Sequence, residues 1–156
     1  EYARQTDHAG NPSRFAHTYV AGAIGLRRNT SSIAVGLERL GGNGVTAFQT
    51  PLGTLHAFQG WADVFLTTPA DGVRDLNLRA GTTLNLAPGP GAVRVAAAAH
   101  DFASARGGRN FGREFDLQIG VPVVPRVTAE LTAASFSGQN GFSDRTKVWV
   151  TLEFKY

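Results

Sequence analysis

The residues able to do chemistry are few, and their spacing does not favour it. His100, Asp101 and Ser104 stand close in the chain, the residue types of a base, an orienting carboxylate and a nucleophile. Strand alternation puts His100 and Asp101 on opposite faces, so the pair cannot cooperate. His56 and Asp63 lie seven residues apart and share a face only in a helix, with no third partner in view. His8 and His17 have no second His or Cys at metal-ligand spacing. The 156 residues include no cysteine, which removes disulfides, zinc–thiolate sites and thiol nucleophiles at once. Gly107-Gly108 lacks the Lys-Ser/Thr and following helix of a phosphate loop. The net charge is +3, yet aromatic residues are not interleaved with the basic ones as a stacking platform for nucleic acid. The expectation is a protein that is not an enzyme, has no metal or cofactor, and binds no nucleic acid.

The elements that would position these groups are strands. Charged residues make up 17%, below the roughly 25% typical of soluble domains, while hydrophobic residues, at 42%, are not in excess. The longest apolar run, 95–99, is far short of the ~20 residues a helix needs to cross a bilayer. Period-2 alternation recurs instead. Leu76, Leu78, Ala80, Thr82, Leu84 and Leu86 alternate with Asp75, Asn77, Arg79, Gly81, Thr83 and Asn85. Similar patterns cover 14–27, 33–37, 93–100, 114–123 and 126–133. Connections alternate in length: 28–31, 87–91 and 124–125 are short, while 6–13, 41–73, 105–111 and 137–144 are long. Short turns at one end and long loops at the other suit an outer-membrane barrel. The strands run about 11–13 residues, against ~5–6 in soluble sheets and ~9–11 for a tilted membrane crossing. Glu1 to Gln5 reads as the end of a strand that begins before the chain, and with no initiating Met the chain reads as a fragment or a processed product.

The C-terminal segment alternates strictly: Val148, Val150, Leu152, Phe154 and Tyr156 on one face, with Lys147, Trp149, Thr151, Glu153 and Lys155 on the other. An amphipathic final strand ending on an aromatic residue resembles the sorting signal of bacterial outer-membrane barrels. That resemblance implies recognition by the barrel-assembly machinery and a periplasmic C-terminus, with every long connection then outside. The expected fold is all-β, an antiparallel transmembrane β-barrel. It would comprise about seven strands plus a stub, form one domain over 1–156, and be part of a larger barrel.

Residues 41–73 break the pattern and form the expected long extracellular loop. Leu52, Leu55, Phe58, Trp61 and Phe65 recur at three- and four-residue spacing, which predicts a short helix, or irregular turns, with one apolar face, ended by Pro69 and Gly72. So many aromatics predict a loop folded into or across the barrel mouth, with His56, Phe58, Trp61, Asp63 and Phe65 forming a constriction.

The stretch F-Q-T-P-L-G-T-L-H-A-F-Q-G-W-A-D-V-F-L-T-T-P-A-D-G-V-R-D-L is similar to a block of the alginate-export family of outer-membrane porins. With the final strand, the resemblance covers 48–156 well and the first 47 residues loosely. One departure is Val64, where many relatives carry Lys. The resemblance implies a larger single-chain barrel and passage of an anionic or sugar-like solute. Thirteen of the fifteen basic residues are Arg, whose planar fork suits the carboxylates of a uronate polymer. Arg79, Arg94 and Arg126 on the inward faces, with Glu114, Asp116 and Glu130, are the expected pore-lining residues. They read first as a cross-strand salt-bridge network. Arg14, Arg74, Arg106, Arg109, Arg113 and Arg145 at the outer mouth would steer anions or meet lipopolysaccharide phosphates. The expected partners are thus outer-membrane lipid and lipopolysaccharide, and an anionic polysaccharide or small solute. The alternatives are a soluble β-sandwich that binds carbohydrate and a structural or adhesion barrel.

Overall fold

The computed structural model describes residues 1–12, 14–50, 59–86 and 91–155. Eight antiparallel strands form one sheet in chain order: β1 (Tyr2–Thr6), β2 (Ala16–Arg28), β3 (Ser31–Leu40), β4 (Val73–Leu86), β5 (Gly91–Ala103), β6 (Asn110–Val124), β7 (Val127–Gly138) and β8 (Arg145–Phe154). Each strand pairs only with its neighbours in sequence, and β1 and β8 are the two edges, so the sheet is not closed on itself. Seven long strands and the short β1 agree with the alternation. The described connections agree as well, while 87–90 of the expected turn at 87–91 lie outside the described residues. Residues 29–30 and 125–126 make tight turns at one end, while 7–15, 41–72, 104–109 and 139–144 are the longer loops at the other. Asn29 and Arg126 take the left-handed conformation that such two-residue turns require.

Burial along the strands is inverted relative to a water-soluble sheet. The apolar face is exposed: Ile24 at 80% and Leu26 at 78% on β2, with Val35, Leu78, Leu84, Leu117 and Leu131 open on the strands that follow. On β8, Val148, Val150, Leu152 and Phe154 are exposed on this same face; Tyr156 lies outside the described residues. The opposite face buries His17, Glu38, Asp75, Asn77, His100, Glu114, Asp116 and Thr132. Across this polar face Arg94 of β5 reaches Glu153 of β8 at 3.7 Å, past two intervening strands.

The described part of the long loop lies on that polar face at the long-loop end. Phe65 packs among Phe102 of β5, Phe111 of β6, Phe136 of β7 and Phe142, with ring centroids 4.7–5.9 Å apart. Tyr19, Leu40, Ala62 and Val73 complete the cluster. Phe111 gets there through a β-bulge: Phe102 pairs with Gly112 while Ala103 pairs with Asn110, so one residue is extra and its side chain is re-aimed. Gly112 is at φ 141°, and a Cβ there would run into the Ser137 carbonyl, so glycine is required.

The expected helix in 41–73 is absent from the described part of the loop. Residues 59–68 run as bends and turns. Gln59, Gly60 and Asp63 all have positive φ, which breaks any helix. The aromatic spacing serves partners on several strands, not one helical face. Residues 51–58, with His56 and Phe58, lie outside the described residues.

Candidate functional site

Three consecutive strands build the centre of the polar face. Pairing Asn77 with His100 and His100 with Glu114 sets β4, β5 and β6 side by side there. His100 Nδ1 lies 2.9 Å from both oxygens of Asp75, and Nε2 lies 3.5 Å from Asp116 Oδ2. A doubly protonated ring presents one N–H to each carboxylate. The ring also stacks on Phe102, 5.4 Å away and nearly parallel, which fixes its plane. Asn77 Nδ2 donates to Asp75 Oδ2 at 3.1 Å. On the β3 side the Tyr19 hydroxyl donates to Glu38 Oε1 at 2.8 Å. Four carboxylates, Glu38, Asp75, Glu114 and Asp116, are therefore gathered and buried around one histidine.

The loop is fastened over this cluster by charge as well as by aromatic packing. The Ala62 N–H donates to Glu114 Oε1 at 2.7 Å. Lys147 of β8 pairs with the buried Asp63 at 2.5 Å, and Arg145 donates to the Asp63 carbonyl at 2.7 Å. Gln49 and Thr68 exchange two hydrogen bonds, Gln49 Nε2 to the Thr68 carbonyl and the Thr68 N–H to Gln49 Oε1, at 2.9 and 3.0 Å. Between β2, β3, β4 and residues 59–61 remains a cavity of about 280 Å³, lined by Tyr19, Glu38, Gln59, Trp61, Asn77, Arg79 and His100 among others.

The residues expected to line a pore separate into groups. Glu114 and Asp116 are in the buried cluster, and Arg79 is on the cavity wall. Glu130 accepts from Gln118 Nε2 at 2.9 Å, and Arg94 pairs with Glu153. Arg126 leaves the wall: it is exposed in the β6–β7 turn, because that turn needs a residue at φ 68°. Trp61 is on the cavity wall, Asp63 is held by Lys147 and Phe65 is in the aromatic cluster. Arginine–carboxylate pairs thus contribute little to the wall; its centre is carboxylates around His100.

The mouth arginines are largely occupied. Arg106 donates to the Asn43 carbonyl, and its N–H donates to the Asp71 carbonyl at 3.0 Å. Arg109 pairs with Asp71 at 3.6 Å, and Arg74 and Arg113 flank Asp101 at 3.8 and 3.0 Å. They tie the loops together before they can serve as a free anion collar. The part played by His100 escapes a reading confined to its neighbours in sequence. The available signal was the register: pairing Leu86 with Gly91 and counting outward sets His100 opposite Asn77 and diagonal to Asp75. Among the described residues no group of three His, Asp or Glu side chains is arranged to hold a metal ion.

No protein-family model, curated protein or solved structure matches this chain.

Proposed function

We propose that these strands are part of an outer-membrane β-barrel, with the apolar face against lipid and the polar face lining a water-filled passage for a polar, sugar-like or anionic solute. The observation that carries this reading is the inversion of burial: apolar side chains exposed along the strands, ionisable ones buried beneath a loop. A soluble sandwich covers its apolar face with a second sheet, and all described strands belong to one sheet. The long strands, the alternation of turn lengths and the terminal strand support the same reading. So does the likeness of residues 48–156 to the alginate-export block. In this reading the protein resides in the outer membrane of a Gram-negative bacterium. The barrel-assembly machinery reads the final strand, and lipopolysaccharide meets the long-loop end.

Two experiments test it on the native protein carrying this chain. Leu78→Arg places a charge in the exposed apolar face and is expected to cost about 2–4 kcal/mol in a bilayer, read as loss of the heat-modifiable folded band. Thr83→Arg, on the other face of the same strand, is expected to leave that band intact. Equal tolerance of the two substitutions would reject lipid contact. Deleting residues 52–67 removes most of the loop from the polar face and is expected to raise single-channel conductance in planar bilayers. Unchanged conductance would mean that the loop does not narrow the passage.

A further inference from the structure

The cavity beside Trp61 combines features that the transport reading alone does not require. Asn77 is only 7% exposed, lines the cavity, and its Oδ1 has no hydrogen-bond partner. Buried carbonyl oxygens are rarely left so, and each such group calls for an explanation. Among the described residues the other buried atoms without hydrogen bonds are His100 Nε2, Glu114 Oε2 and both oxygens of Asp116, His100 Nε2 and Asp116 Oδ2 forming only a 3.5 Å ion pair. Four of those five atoms are acceptors, so the described region is short of donors. Gly36 forms part of the cavity wall, and a Cβ there would crowd both Asn77 Oδ1 and the Arg79 guanidinium. The missing side chain keeps the space above Asn77 open. Trp61 and Tyr19 contribute aromatic surface, and Arg79 and Gln59 contribute donors.

We propose that this cavity binds a neutral, hydroxyl-rich ring of monosaccharide size and discriminates against uronates. The proposal names the cargo class of the passage described above and rests on that reading. A hydroxyl supplies the donor that Asn77 Oδ1 lacks, and others accept from Arg79 in the same ring. The carbon face of a sugar suits an indole wall. A volume of about 280 Å³ admits one ring and not a chain of them. Charge sets the selectivity: Glu38 and Asp75 at the cavity, with Asp116 directly behind it, outnumber His100 and Arg79. A carboxylate on the ligand meets more repulsion than attraction.

The test uses the native protein in an amine-oxide detergent, which carries no sugar headgroup to compete. In a Trp149→Phe background, Trp61 is the only indole of this chain. Its emission is expected to respond saturably to glucose at a half-point on the order of a millimolar, and to glucuronate about tenfold more weakly. Glu38→Gln keeps an acceptor for Tyr19 but removes a charge, and is expected to narrow the gap to about threefold or less. Gly36→Val is expected to abolish the response to both sugars. Should a variant fail to fold, block of single-channel current by glucose against glucuronate on the unsubstituted protein decides the same question. Glucuronate or ethylenediamine binding as tightly as glucose, or a glucose response that survives Gly36→Val, would overturn the proposal. A protein that conducts but ignores glucose loses this inference and keeps its channel. One that needs no detergent and does not conduct loses the channel, while the fluorescence titration still decides the cavity.

Discussion

His100→Leu is expected to destabilise the folded protein by about 3–5 kcal/mol, the cost of removing one partner from a buried charged group. The ring stands between two carboxylates, and the side chains of Asp75 and Asp116 are 2% and 0% exposed. Leucine replaces its volume and leaves the two acids facing one another without a cation. The measurement is the urea midpoint of the heat-modifiable band in lipid vesicles. A second substitution makes the outcome specific to charge: Asp116→Asn in the His100→Leu background is expected to recover a large part of the loss. A cost below about 1 kcal/mol would put the cluster in the class of solvated pairs.

Phe65→Ala is expected to cost a similar amount, about 3–5 kcal/mol, as for other large-to-small changes at buried aromatic sites. Phe65 is 3% exposed and touches rings from three strands and the β7–β8 loop, so no single neighbour can collapse into the space it leaves. Because it anchors the loop to the sheet, the loss should concentrate locally. Residues 59–68 become protease-sensitive and channel current becomes noisy, while the strands stay paired. Lys147→Ala, which removes one ionic clamp at Asp63, tests whether charge or packing dominates the fastening. Aromatic packing spans more of the sheet, and the alanine at 65 is expected to have the greater effect.

The strands were legible in the sequence because period-2 alternation is a local property, and in this chain it is nearly unbroken from 73 to 86 and from 145 to 154. Turn positions then fixed the order and, implicitly, the register. The loop was not legible for the opposite reason. Its apolar spacing resembles a helix, but the partners of Phe65 lie on β5, β6 and β7 and beyond, and only the folded sheet assembles them. Phe111 was further concealed, since it falls in the expected 105–111 loop and a bulge turns its side chain to the buried face. The inward acids stood on the faces the alternation gave them. Their convergence on His100 is not a local property: Asp101, its neighbour in the chain, points away, and only the strand register brings Asp75 and Asp116 to the ring.

Next-neighbour pairing has a consequence for how such a wall changes over evolutionary time. No strand depends on a distant segment for its register, so a hairpin is a self-contained module. Adding or duplicating one alters the girth of a closed wall while existing registers stay as they were. His100 and its two aspartates, Asp75 and Asp116, occupy three successive strands, β4 to β6, and therefore travel as a cassette. The loop does not: its clamps reach β8, so any module inserted between β6 and β8 would separate Asp63 from Lys147. The wall is free to gain or lose hairpins at its flanks, but the span from β4 to β8 is held at a fixed count by the loop stretched across it.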